Sequence, residues 1–150
     1  MSDRSALGPA AESSGAPSGG PTRVLVVLYA IFALAAGARA GVQIGTRFSE
    51  APLAYLLSAL AAVVYVVATV GLVRGGATGR RTALTAITVE LVGVLAVGTL
   101  SLADPAAFPD DTVWSGYGSG YGYVPLVLPV LGLLLLRRTR NRSDRTDSPA

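Results

Sequence analysis

Two ionisable side chains stand inside long apolar runs. Glu90 falls within the stretch 82–103, and Arg39 interrupts the stretch 24–45, with Gln43 one helical turn beyond it on the same face. A charge near the middle of a bilayer costs roughly 2.5–3.5 kcal/mol on insertion scales, so it turns to protein or water, or snorkels to the interface. Three roles are open to Glu90: a hydrogen-bonded structural carboxyl, a partner for Arg39, or a station on an ion or proton path. At 1.5 Å per residue from the ends that lie on the same side, Arg39 is about 22 Å deep and Glu90 about 12 Å. That offset works against a direct pair, and Arg39 is expected to snorkel toward the far interface. Glu90, Arg39 and Gln43 are thus the candidate intramembrane polar site.

A second group lies in ADPAAFPDDTVWSGYGSGYGYVP (103–125), which gathers Asp110, Asp111, Trp114, Tyr117, Tyr121 and Tyr123 among alternating glycines. Trp and Tyr favour the membrane–water boundary, where an apolar ring meets a polar edge. Glycine lets such a segment turn tightly. The segment therefore reads either as an aromatic belt on a flexible loop or as a recognition surface for a partner, a lipid headgroup or a glycan. Asp104, Asp110 and Asp111 lack the spacing of a calcium loop, and no metal is expected.

Other chemistry is missing. The chain has no cysteine, no histidine and no lysine, which removes thiol nucleophiles, the usual general base and Schiff-base catalysis. None of G-x-x-x-x-G-K-[ST], H-E-x-x-H or G-x-S-x-G occurs. No enzymatic activity, no cofactor and no nucleic-acid partner are expected.

Composition decides which secondary structure carries these side chains. Of 150 residues 51% are apolar and only 14% charged, with a mean hydropathy of +0.55. A soluble domain carries about 25% charged residues, so lipid must act as part of this chain's solvent. The fold expected is an all-α membrane protein with four transmembrane helices at about 24–45, 51–73, 82–103 and 119–136. Residues 1–23 read as a disordered tail and 138–150 as a basic one. The fourth block is strictly apolar only over 123–136, about 21 Å of helix against a hydrocarbon core of about 30 Å. It must borrow from the Gly/Tyr run or cross where the bilayer is thin. Pro125 and Pro129 predict an irregular start or a kink there.

Orientation follows from the arginines. Ten of the twelve (4, 23, 74, 80, 81, 137, 138, 140, 142 and 145) fall on one side of this topology. Retained cytoplasmic segments carry the Lys/Arg excess, so both termini are expected in the cytoplasm of a multi-pass plasma-membrane protein. A competing reading takes the first block as a signal peptide cleaved after Ala40, which would leave three spans; Asp3, Glu12 and the apolar Val42 and Ile44 weigh against it. Helix association in lipid relies on small residues. Gly37, Gly41 and Gly45 are spaced by four in the first span, Ala54, Ser58 and Ala62 share a face of the second, and Ala83, Ala86, Glu90 and Gly93 a stripe of the third.

From Arg23 to Arg138, and most clearly in PDDTVWSGYGSGYGYVPLVLPVLGLLLLRR (109–138), the chain resembles the small four-span membrane proteins common in actinobacteria. The resemblance implies a membrane location and an actinobacterial source; it imports no activity. The expected function is a structural or accessory subunit of the cell envelope, its partners being the lipid bilayer and other membrane proteins or itself. The alternative is a small transporter or channel component acting as an oligomer.

Overall fold

A computed structural model describes residues 19–146, with side chains through residue 141. Four helices carry the fold: α1 (Gly20–Arg47), α2 (Pro52–Arg74), α3 (Gly76–Ala103) and α4 (Val124–Thr146). No strand occurs among the described residues. The first three are long and apolar enough to cross a membrane; α4 joins them when counted with the bent segment Ser115–Tyr121, which meets it at 100°. The outward faces carry Leu34, Val42, Val63, Val92 and Leu102, each more than half exposed. So much contiguous apolar surface is compatible with lipid rather than with water.

Successive helices pack side by side, α1 against α2, α2 against α3 and α3 against α4. Thr22, Gly75, Arg80 and Thr139 line one small cavity. The starts of α1 and α3 and the ends of α2 and α4 therefore lie at one end of the bundle. The link between α2 and α3 is the single residue Gly75, at φ 60°. So short a turn requires the two backbones almost to touch, and Gly71 and Gly79 allow it. A Cβ on Gly71 would stand 2.6 Å from the Ala83 amide nitrogen, and one on Gly79 2.7 Å from the Gly71 carbonyl oxygen.

Several boundaries differ from the sequence expectation. Helix α1 begins at Gly20, inside the segment read as a tail, because Pro21 in its first turn pre-sets helical φ. Helix α3 begins six residues early, since the one-residue link leaves no loop. The fourth helix starts at Val124 rather than at 119, because the Gly/Tyr run turns away from it. Its apolar part, 124–136, rises about 20 Å. It continues helically to Thr146 through residues read as a tail; the arginines there suit the negative end of the helix dipole. The remaining tail readings, over 1–18 and 147–150, lie outside the described residues, as do the side chains of Arg4, Arg142 and Arg145.

The small-residue faces divide. Ala54, Ser58, Ala62, Ala83 and Ala86 are buried. In the first span Gly37 approaches Ala62, whereas Gly41 and Gly45 have nothing near them and face outward.

Candidate functional site

Glu90 is placed by the face of α3 that buries Ala83, Ala86, Ile87 and Val94. It is fully buried. Tyr29, equally buried on α1, donates its hydroxyl proton to Glu90 Oε2 at 2.6 Å. Glu90 Oε1 has no hydrogen-bond partner among the described residues. Arg39 does not reach this carboxyl. Cleavage after Ala40 would take Tyr29 away from it.

Above this pair lies Trp114, and here the structure corrects the expectation of a loop aromatic at the membrane surface. Trp114 is 2% exposed. Its ring lies on Gly93 of α3, where a Cβ would come within 2.6 Å of the ring edge. Its Nε1–H donates to the Tyr65 hydroxyl at 3.1 Å. A local network holds the descending loop. Thr112 Oγ1 accepts from the Trp114 amide at 3.0 Å, and Ser115 Oγ accepts from the Thr112 amide at 2.9 Å. Indole enters the bundle because one glycine clears its volume and one hydroxyl accepts its proton.

Tyr117 repeats the device one step later. It packs on Gly98, and its hydroxyl is 3.1 Å from Thr99 Oγ1. Its backbone is left-handed at φ 61°, a conformation costing a non-glycine residue roughly 1–2 kcal/mol and held here by the seated ring. Tyr121 is half-buried, while Tyr123 and Asp111 are exposed. Of the six residues read as a recognition surface, Trp114 is therefore turned inward, Asp110, Tyr117 and Tyr121 are partly covered, and Asp111 and Tyr123 stay exposed.

At the loop end of the bundle Arg39 forms a clasp. Its NH1 donates to the Tyr121 hydroxyl at 2.9 Å and its NH2 to the Asp111 carbonyl at 3.1 Å. The guanidinium is 3.9 Å from Asp110 Oδ1. Gln43 Nε2 donates to Asp110 Oδ2 at 3.2 Å, and the Tyr55 hydroxyl faces the same carboxylate without hydrogen-bond geometry. The clasp and Glu90 have separate partners and are bridged by rings: Tyr29 to Tyr65 at 6.1 Å, Tyr65 to Phe32 at 5.7 Å and Phe32 to Tyr121 at 6.0 Å.

The clasp is half in water, so Arg39→Gln is expected to lower overall stability by no more than about 1 kcal/mol. Its larger effect should be local, a several-fold faster amide exchange over residues 104–121. Arg39→Lys should not restore protection, because an ammonium lacks the fork that spans Tyr121 and Asp111. Exchange unchanged in Arg39→Gln would show that the loop is held without this residue.

The three aspartates do not converge. Asp104 caps the short turn at Ala107, Asp110 joins the clasp, and among the described residues no group of three His, Cys, Asp or Glu side chains could hold a metal. An open groove of about 510 Å³ flanks Arg39, Gln43 and Arg47, and Glu90 does not line it. Compared with family models, curated proteins and solved structures, the chain matches none.

Proposed function

We propose that this chain is a structural or accessory subunit of the cell envelope, held in the plasma membrane by four helices with both termini in the cytoplasm, and not an enzyme. The observation that carries the reading is the inward turn of residues 112–117. Residues 112–115 are buried and Tyr117 is partly covered, so Trp114 closes the core with an aromatic ring where a substrate site would leave it open. Helix α1 supports the same view. It is less covered than α2 or α3, and Gly41 and Gly45 lie open beside the exposed Val42 and Leu34. That face suits close packing by a helix of another membrane protein. A transporter or channel component is the second reading, favoured by the unpartnered Oε1 of a carboxyl at full burial.

Purification of the tagged chain in mild detergent separates the two. Stoichiometric recovery with a larger membrane protein is the expected result. A homo-oligomer that carries ions in liposomes, and loses that flux in Glu90→Gln, overturns it. Orientation is read from the same cysteine-free background. Ser119→Cys should react with an impermeant maleimide in intact cells, and Ala77→Cys only after permeabilisation; the reverse pattern refutes the topology.

A further inference from the structure

The arginine-bearing end of the bundle holds a groove between α3 and α4 of about 560 Å³. Arg80, Leu84 and Thr88 follow one another at four-residue spacing on α3, and Leu133 and Arg137 face them from α4, with Arg140 on the next turn. The groove is graded. Its outer end is cationic, and its inner part, from Leu84 to Thr88 and about 6 Å along the helix axis, is lined by leucines and by a threonine. The hydroxyl of Thr88 is already committed to the Leu84 carbonyl at 2.7 Å.

Arg80 is built into this groove rather than waving above it. It is half-buried, and its NH2 donates to the Leu136 carbonyl at 2.7 Å, tying α3 to α4. Its Nε is buried with no hydrogen-bond acceptor among the described residues. A phosphate oxygen is the acceptor to which arginine geometry is best matched, and in this groove it would meet the guanidinium edge that lines the cavity rather than the enclosed Nε. Arg137 is exposed at the same rim.

We propose that this groove binds one anionic phospholipid, its phosphodiester held by Arg80 and Arg137 and one acyl chain lying along Leu84 and Leu133. The amphiphilic grading decides for a lipid over a free phosphate, because the cations alone suit either, whereas the apolar inner part suits only a chain. Basic pockets between transmembrane helices are established headgroup sites. The proposal rests on membrane insertion and holds whichever accessory or transport role the chain plays.

The test uses the full chain in detergent, with phosphatidylglycerol as probe. Native mass spectrometry should retain one phosphatidylglycerol per chain, and the lipid should raise the melting temperature, with phosphatidylcholine and inorganic phosphate doing neither. Arg137→Gln, which removes an exposed side chain, should weaken retention about fivefold, and Arg80→Gln by at least as much. Arg81→Gln is the control: it removes an equal charge from the very next position, but Arg81 lines the α2–α3 side, and its loss should leave retention unchanged. Equal retention of phosphatidylcholine, equal stabilisation by inorganic phosphate, or equal loss in Arg81→Gln would each overturn the site.

Discussion

Trp114→Ala is expected to reduce the unfolding free energy by about 3–5 kcal/mol, the range for emptying a buried aromatic site. Three contributions act together. The indole is almost wholly buried, so its removal leaves a cavity over Gly93 that helix backbones cannot collapse to fill. The Tyr65 hydroxyl loses its donor. The loop from 104 to 123 loses the side chain that pins it to α3. Trp114→Phe should lose less, about 1–3 kcal/mol, because one aromatic ring still fills most of the site while the hydrogen bond and the rest of the indole go. Gly93→Ala attacks the same contact from the other side, since its Cβ would enter the ring. As this is the chain's single tryptophan, its fluorescence reports the contact directly. The native chain should emit at short wavelength and resist aqueous quenchers, and Gly93→Ala should shift emission to the red. A Trp114→Ala protein that melts in detergent within a degree of the native chain would show the plug to be dispensable.

The helices were legible because lipid asks one thing of a span, an uninterrupted apolar run, and 51–73 supplies it without ambiguity. The packing between spans was not, because lipid-facing and core-facing positions are equally apolar. Gly71 and Gly79 decide how closely α2 and α3 approach, yet among 18 glycines nothing in their spacing marks them. The regular Gly37–Gly41–Gly45 series has the spacing of a packing face, but two of its members face outward. Trp114 misled for a similar reason. A tryptophan flanked by glycines near a span meets the compositional demands of an interfacial belt and of a core plug alike. Depth arithmetic was more informative. It counted against an Arg39–Glu90 pair, and the same count places Tyr29 about 8 Å from the start of its block, nearer the level of Glu90 than Arg39 is. The start of α4 was out of reach, since the positive φ values at Gly116, Tyr117 and Gly118 depend on a ring finding Gly98.

The second large effect concerns the Tyr29–Glu90 pair, and its sign depends on which partner is removed. Tyr29→Phe takes away the only hydrogen bond that the described residues make to a fully buried carboxyl. It is expected to cost about 1–3 kcal/mol or more, since the cost of an unmade bond rises for groups that carry charge. Glu90→Leu strands the Tyr29 hydroxyl instead and should cost about 1–3 kcal/mol. The double variant removes both groups and should recover most of that loss, giving a coupling of about 0.5–3 kcal/mol in a double-mutant cycle measured by unfolding in detergent. Strict additivity would mean that the two groups do not depend on each other. The double variant also bears on why the carboxyl is there. A buried polar pair with one oxygen unmatched is a poorer source of stability than apolar packing of equal volume. If the apolar double variant is as stable as the native chain and still recovers its partner, Glu90 serves neither stability nor assembly. The proton or ion path then becomes the remaining reason for a carboxyl at that depth.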